Sequence, residues 1–481
     1  MRGAAILRVV GFFCMAFSLT MLIPIAVSLW YGDGEVEHFL TSLIVILLPG
    51  LVFAWFGRHA SGDLATRDGF LIVAIFWAGI SAMAALPFLF GAHLSFVDAL
   101  FEAVSAFTTT GATVISGLDD LPKSVLFYRQ QLQWFGGMGM IVLAVAVLPL
   151  VGIGGMQLYR AEAPGPMKEE KLTPRLAQTA RTLWVIYVGI TVANALAYWL
   201  AGMTPFDAIA HSLSTVSTGG FSTHDASLGW FHSSLIEGIA AVFMLAGAIN
   251  FSVHFLAFRQ HSIRPYFQDV EVRFFLLFVI AIVVLVTLML RTSGEYHSMP
   301  PSLRNAVFEV VSVITSTGFG TVDFSHWPDF LPVLLIFISF VGGCGGSTAG
   351  GMKVLRVMVL AQIGLREVKR LIHPRALIPV RLGGRVLRER TLEAVWGFLA
   401  AYVLSFVVLM LLMMHAGLDQ VSAFSAIATS MNNLGPGLGR VASTFADVSD
   451  SGKLIAAFAM LLGRLEIFTI LVLLMPEFWR R

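Results

Sequence analysis

Four stretches of this chain repeat one pattern: a residue suited to capping a helix followed by Ala, then a Gly thirteen positions after the cap, flanked by hydroxyl or amide side chains. They read Asp98-Ala99…Thr109-Thr110-Gly111, Asp207-Ala208…Thr218-Gly219-Gly220, Asn305-Ala306…Ser316-Thr317-Gly318 and Ser422-Ala423…Asn433-Leu434-Gly435. Each lies between two long apolar segments. Asp, Asn and Ser favour N-caps because their side-chain oxygens accept from the free N–H groups of a first turn. Some eleven helical residues then rise about 16 Å, roughly half the hydrocarbon thickness of a membrane. Each unit therefore reads as a half-helix that enters the membrane, stops midway and returns through an extended Gly segment. Non-helical backbone survives at that depth only where it is buried in protein or lines a water-filled cavity. Four such loops around one axis would make a ring of carbonyls, which is how a dehydrated cation is held.

The rest of the sequence supplies the membrane that this pattern needs. The chain is 57% hydrophobic and only 12% charged, which excludes a soluble globular protein and describes a polytopic, all-α membrane protein. Apolar length predicts ten spans, at about 10–30, 39–57, 70–92, 124–152, 182–202, 234–258, 274–291, 329–359, 393–416 and 454–475. The first follows Arg2 and Arg8 in the manner of a signal peptide, but it is too long and a second span follows directly, so it reads as an uncleaved anchor. Alternating sides gathers both termini and the connections near 58–69, 160–181, 259–273 and 360–392, which hold most of the Lys and Arg. The positive-inside rule then predicts both termini in the cytoplasm and all four half-helix loops outside. Cys14 and Cys344 are the only cysteines, and their apolar or Gly-rich contexts imply neither a disulfide framework nor a thiol site.

The repeats divide the chain. Residues 1–67 form an extra N-terminal pair of helices, and four units of span, half-helix, Gly segment and span follow at 68–160, 161–265, 266–375 and 376–481. All run in the same in-to-out order, which makes them parallel repeats about an axis along the membrane normal. A pseudo-fourfold pore within one chain is the expected architecture.

The candidate cation-binding residues are Thr109, Thr110, Gly111 and Ala112; Thr218, Gly219, Gly220 and Phe221; Ser316, Thr317, Gly318 and Phe319; and Asn433, Leu434, Gly435 and Pro436, acting largely through backbone carbonyls. One such segment alone reads best as hydroxyls capping and packing a half-helix, as Ser and Thr commonly do between membrane helices. Four in register with a glycine favour a filter, since glycine permits backbone angles that turn successive carbonyls toward one axis.

The segments Phe107-Thr-Thr-Thr-Gly-Ala-Thr113, Ser217-Thr-Gly-Gly-Phe-Ser222 and Asn432-Asn-Leu-Gly-Pro-Gly437 resemble the selectivity filters of the Trk/Ktr/HKT superfamily of potassium transporters. The likeness extends to Gln133-Trp-Phe-Gly-Gly-Met138, to Phe340-Val-Gly-Gly-Cys-Gly-Gly-Ser-Thr-Ala-Gly-Gly-Met-Lys353 and to Gly463-Arg-Leu-Glu-Ile-Phe468, and so covers essentially the whole chain. The extra N-terminal pair is similar to the TrkH type. The resemblance implies K⁺ uptake across a bacterial inner membrane by a homodimer whose cytoplasmic face binds a TrkA-type nucleotide-binding regulatory ring. K⁺ is then the bound and transported ion, with no organic cofactor and no nucleic acid partner. Because the residue after each glycine differs between repeats, K⁺/Na⁺ selectivity is expected without being stringent.

Two further features fall near the expected pore. Gly342, Gly343, Cys344, Gly345, Gly346, Ser347, Thr348, Ala349, Gly350 and Gly351 interrupt the eighth span, and six glycines in ten residues cannot hold a helix interior when each costs about 1 kcal/mol. Close packing through small residues is one reading; an unwound plug beneath the filter is the other and the favoured one, and the resemblance implies an intramembrane gate. A phosphate loop fits poorly, because Gly350-Gly351-Met352-Lys353 lacks the Gly-Lys-Ser/Thr ending. Arg464 is expected to be the only basic residue deep in a span, either in a structural pair with Glu466 or facing a water-filled or polar site, and the resemblance implies a place beneath the filter beside the loop. Asn250 in the second repeat either hydrogen-bonds the loop or serves helix packing. His211, Glu102 and Glu309 lie in half-helices; the two glutamates stand nine residues before their glycines, which predicts one structural role behind the filter.

Among other function classes, Na⁺- or H⁺-coupled K⁺ symport through the same filter is the alternative, although no paired acidic relay stands in the spans. An intramembrane enzyme is not expected, since no HExxH, GxSxG or paired aspartates stand out.

Overall fold

The computed structural model describes residues 3–58, 66–142, 172–328 and 330–480. Among these, six helices are long and apolar enough to cross a membrane: Gly3–Tyr31, Val36–Phe56, Arg67–Phe90, Ala180–Leu200, Val270–Thr292 and Glu389–His415. Two more segments reach that length only as bent pairs, Ser234–Ala248 with Phe251–Gln260 at 100° and Asp450–Arg464 with Ile467–Leu474 at 113°. The expected span at 329–359 is two helices, Leu331–Ser339 and Val354–Ile372, on either side of the Gly-rich loop. The expected span at 124–152 is helical from Lys123 to Val142, and the rest of it lies outside the described residues. Three of the ten expected spans are therefore broken in mid-course. Apolar length does not reveal the breaks at 249–250 and 465, because the runs on both sides stay apolar; the local signals are Asn250, a helix-capping residue, and the charged Arg464 and Glu466 on either side of Leu465.

Four shorter helices lie between the long ones: Phe96–Phe107, Pro205–Val216, Met299–Ile314 and Gln420–Met431. Three of them have 12 residues, a rise of about 18 Å. Their starts differ from the expected caps. Ser95 and Thr204 are the N-caps of the first two, each accepting from the N–H of the Asp that the repeat pattern marked. Each hydroxyl also donates back to that Asp carboxylate, at 2.8 Å for Ser95–Asp98 and 2.7 Å for Thr204–Asp207. Asp98 and Asp207 thus hold the third helical position of a capping box, where a carboxylate also meets the positive end of the helix dipole. In the fourth, Asp419 caps through the N–H groups of Val421 and Ser422. The third begins at Met299, 16 residues long, and leaves Asn305 within the helix.

The N-terminal pair packs through glycine. A Cβ on Gly11 would overlap the backbone of Ala54, and one on Gly50 or Gly57 would overlap Cys14, Met15 or Arg8, so the two backbones approach as bulkier residues would forbid. The basic connection near 360–392 continues the helix to Ile372 and then forms a two-residue antiparallel ladder, Arg381↔Val386 and Leu382↔Arg385. Gly383 and Gly384 supply the positive φ angles (55° and 82°) of its tight turn.

Candidate functional site

All four half-helices end in the same way. The residue two before each key glycine, Thr109, Thr218, Ser316 or Asn433, lies in the left-handed region at φ 52–55°. The N–H one residue further on reaches back to a carbonyl in the last turn: Thr110 to Ser105, Gly219 to Ser214, Thr317 to Ser312 and Leu434 to Thr429, at 2.8–2.9 Å. These are Schellman ends, which satisfy the orphan carbonyls of a helix C-terminus and usually require Gly at the left-handed position. Here that position carries Thr, Thr, Ser and Asn, at a strain of about 1–3 kcal/mol each. Gly111, Gly220, Gly318 and Gly435 then turn the chain a second time at φ 79–94°.

The glycines bring the segments together in a closed order. A Cβ on Gly111 would overlap the carbonyl oxygen of Gly219, one on Gly220 that of Thr317, one on Gly318 that of Leu434, and one on Gly435 would press on that of Thr110. Asn433 Nδ2 also crosses from the fourth segment to the first, donating to Thr110 Oγ1 at 3.0 Å. Ala112, Phe221 and Phe319 are buried just beyond their glycines, while the Pro436 ring packs against Gly318. The backbone-capping reading of the hydroxyls holds one residue earlier, where Thr108 and Thr315 donate to carbonyls of their own helices. The hydroxyls at the left-handed positions of the second and third segments, Thr218 and Ser316, donate to the carbonyls of Ser217 and Thr315 and also meet the Gly-rich loop, at Thr348 Oγ1 and Gly350 N.

Each segment is braced from behind. Glu102 accepts from Thr113 Oγ1 and Val114 N, and Glu309 from Thr321 N, Thr321 Oγ1 and Val322 N. His211 Nε2 meets Ser222 Oγ at 2.9 Å. His211 also stands nine residues before its glycine, so the sequence held this signal in three repeats where only the glutamates had been matched. In the fourth, Ser425 accepts from Leu438 N at 2.9 Å. Two braces went unnoticed in the sequence. Arg129, fully buried, bonds Glu102 at 2.9 Å, Thr113 Oγ1 and the Ser222 carbonyl, and its guanidinium lies 4.0 Å over the Phe221 ring. Arg464 is therefore not alone among deeply buried cations. Gln133 donates to the Gly219 carbonyl at 2.6 Å and accepts from Ser214 Oγ and Phe221 N, at 2.7 and 3.2 Å.

The Gly-rich loop lies against these same ends. Its N–H groups fill the break in the second repeat: Cys344 N donates to the Ala248 carbonyl at 2.9 Å, Thr348 N to that of Gly247 at 3.1 Å, and the Gly346 carbonyl accepts from Phe251 N. Asn250 caps the helix restarting at Phe251 by accepting from Ser252 N. Thr348 Oγ1 bonds the Val216 and Gly247 carbonyls at 3.1 and 2.9 Å, and Gly350 N donates to Ser316 Oγ at 2.5 Å. Gly345 N is held by Glu271 at 2.7 Å, and Ser347 Oγ returns to the Cys344 carbonyl. Gly342 and Gly351 lie against each other at positive φ, the Gly343 carbonyl accepts from Val354 N, and that of Ala349 from Lys353 Nζ. Arg464, 1% exposed, donates through Nη1 to the Thr348 carbonyl at 2.8 Å. The side chain of Glu466 lies outside the described residues. The ends of the second, third and fourth half-helices, the loop and Arg464 thus form one contiguous set of contacts.

The family TrkH, described as cation transport proteins, matches residues 36–481. The Trk system potassium uptake protein TrkH of Vibrio parahaemolyticus is 53% identical over 485 residues, with both chains covered in full. That of Escherichia coli K12 is 51% identical, again over 100% of each chain, and the TrkG protein of the same organism is 42% identical over 98% of this chain and 97% of its own. The crystal structure of the potassium transporter TrkH from Vibrio parahaemolyticus superimposes with a TM-score of 0.93 at 50% identity, covering 100% of both chains. The chain described here belongs to the TrkH family of cation transport proteins.

Proposed function

We propose that this chain is a K⁺ uptake pathway of the bacterial inner membrane, with its four repeats in pseudo-fourfold order around one filter built from residues 109–112, 218–221, 316–319 and 433–436. The observation that carries the proposal is the fourfold recurrence of one strained helix end, its glycines touching in a closed order. Four half-helix C-termini converging on one point bring four negative dipole ends to it, which favours a cation there by about 0.3–1 kcal/mol each. Carbonyls held by the braces behind them replace the hydration shell of the ion. Potassium uptake is what the names of the full-length relatives state, at 51–53% identity. Loop 342–351 serves as the gate and Arg464 as an electrostatic barrier beneath the filter. Both termini face the cytoplasm, the chain works as a homodimer, and a TrkA-type nucleotide-binding ring docks on the cytoplasmic side, where the basic connection at 366–390 offers a surface. The filter is tested by Gly→Ser at 111, 220, 318 and 435. Each Cβ would displace a neighbouring carbonyl, so rubidium-over-sodium permeability in proteoliposomes should fall while the protein stays folded. Four folded variants with wild-type permeability ratios would sink the assignment. Running the same assay with and without an imposed Na⁺ or H⁺ gradient separates a channel from a coupled symporter.

A further inference from the structure

Arg129 is a fully buried cation whose donors go three ways. Nε and Nη2 meet Glu102 Oε1 at 2.9 and 2.8 Å, Nη2 also donates to Thr113 Oγ1 at 3.1 Å, and Nη1 donates to the Ser222 carbonyl at 3.3 Å. The guanidinium carbon stands 4.0 Å from the centre of the Phe221 ring. Thr113 lies two residues past Gly111 and Ser222 two residues past Gly220, so one planar group joins matching positions of the first and second Gly segments. The same positions in the third and fourth segments are Gly320 and Gly437, which offer no side chain. The clamp does not recur either: eighteen residues past the other three glycines stand Gly238, Ile336 and Lys453, where Arg129 stands eighteen past Gly111. Lys453 reaches Asp98 on the first half-helix at 2.6 Å, and Arg304 on the third half-helix holds Glu237 at 2.5 Å. Those two pairs also join neighbouring repeats, but at the half-helices. Arg129 does so at the Gly segments themselves.

Stability alone does not account for such a pair. Taking two charges out of water can cost more than their attraction returns, and apolar side chains of the same volume often serve a core as well. What the charges add is geometry. A guanidinium is a rigid fork with its donors fixed in one plane, and here that plane sets how far the Ser222 carbonyl stands from Thr113. The cation also attracts the face of Phe221, the residue directly after Gly220. Glu102 balances its charge, so the clamp places no net positive charge beside a passing cation. A ring of carbonyls discriminates between cations by its size and by how firmly its oxygens are held. We infer that Arg129 is a specificity-determining positioning residue, which fixes the spacing of the first and second Gly segments and with it the cation that the ring prefers. The inference rests on the reading of those segments as the filter.

The test measures rubidium-over-sodium permeability per folded full-length protein in proteoliposomes. Arg129→Lys keeps a positive charge opposite Glu102 but has one ammonium where the fork reached three oxygens, and its ratio should fall several-fold. Arg129→Gln combined with Glu102→Gln leaves no lone buried charge, lets the two amides bond each other, and should show the same fall. Arg304→Gln breaks a pair between the second and third repeats and should keep the wild-type ratio. A second readout needs no flux. K⁺ should raise the unfolding midpoint of the purified wild-type protein above its value in Na⁺ at equal ionic strength, and the Arg129 variants should lose that difference. A purely structural role would lower both midpoints together. A wild-type ratio with an undiminished K⁺–Na⁺ difference in the folded Arg129 variants, or an equal fall in Arg304→Gln, would overturn the inference. If the glycine variants at 111, 220, 318 and 435 lower the ratio and the Arg129 variants do not, the role of Arg129 alone is wrong. If the glycine variants keep the ratio too, the filter reading falls and this inference with it.

Discussion

Gln133 illustrates how much of the site depends on single side chains behind it. It stands 22 residues after Gly111, and the corresponding positions in the other repeats are Val242, Phe340 and Ala457, none able to repeat its bonds. The Gly219 carbonyl is therefore tied to a side-chain amide, while those of Thr110, Thr317 and Leu434 accept no side-chain donor among the described residues. The four Gly segments are asymmetric in their hydrogen bonding as well as in their sequence; if they form the proposed filter, modest selectivity follows. Gln133 acts as a positioning residue, and the sign of its effect can be isolated. Gln133→Glu keeps an acceptor for Ser214 and Phe221 but turns an oxygen toward the Gly219 carbonyl, pushing it from its place. Gln133→Leu leaves all three partners unmet, at about 1–3 kcal/mol each. Both should lower the rubidium-over-sodium permeability ratio, the glutamate variant with the smaller loss of folded yield. A role confined to stability predicts reduced yield with an unchanged ratio, and permeability measured per folded protein decides between the two.

Among the elements, the Gly-rich loop and the broken helix of the second repeat are two halves of one structure. The break at 249–250 frees the carbonyls of Gly247 and Ala248 and the N–H of Phe251, and the loop supplies partners for all three. Deleting the loop therefore does more than open a path: it strands those groups in the membrane interior, where an unmet backbone group costs several kcal/mol. Thr348→Val is the cleaner change. It removes the hydroxyl bonds to the Val216 and Gly247 carbonyls, weakening the loop by about 1–3 kcal/mol, while leaving the backbone pairing in place. If the loop is the gate, Thr348→Val should raise rubidium flux in the absence of any cytoplasmic partner. A partial deletion within 342–351 should raise it further per folded molecule, at lower yield, and Arg464→Ala less than the deletion. Selectivity should hardly move, because the filter glycines are untouched. Unchanged or reduced partner-free flux in both loop variants would leave packing as the loop's role.

At the scale of the whole molecule, the repeat was legible in the sequence because one costly feature recurs: a glycine that turns the chain a second time just past each half-helix, thirteen residues after a polar residue of its first turns. What escaped notice was set by three-dimensional pairing. Asn250 is a capping residue in the apolar run around Ile249, and only the loop, by pairing the freed backbone groups, turns that cap into a 100° bend. Arg129 lies in the second turn of the helix Lys123–Val142, and only the fold brings Glu102 and Phe221 to it. The loops that follow the half-helices are joined in the same non-local way. Phe445 N donates to the Thr113 carbonyl at 2.8 Å, the N–H groups of Gly117 and Leu118 bond the Asp225 carboxylate at 3.0 Å, and Gly229 N reaches the Gly320 carbonyl at 3.2 Å. His224 sits at one of these seams. Its Nδ1 pairs with Asp119 of the first repeat, Nε2 lies 3.6 Å from Asp207, and its ring stacks on Trp230 at 4.4 Å and faces His211 at 6.5 Å. Burial opposes the charged imidazole, but the Asp207 and Asp119 carboxylates outweigh it and hold the pKa above the ordinary 6.5. A pKa raised by folding means that protonation favours the folded state. The contribution is complete below about pH 6.5 and is lost as the pH climbs through the raised value. His224→Gln should therefore lower the unfolding midpoint most at pH 6 and progressively less toward pH 9, where the two curves converge; Asp119→Asn should do the same. A gap between wild type and His224→Gln that stays constant across that range would mean that the seam is held by stacking on Trp230 rather than by charge.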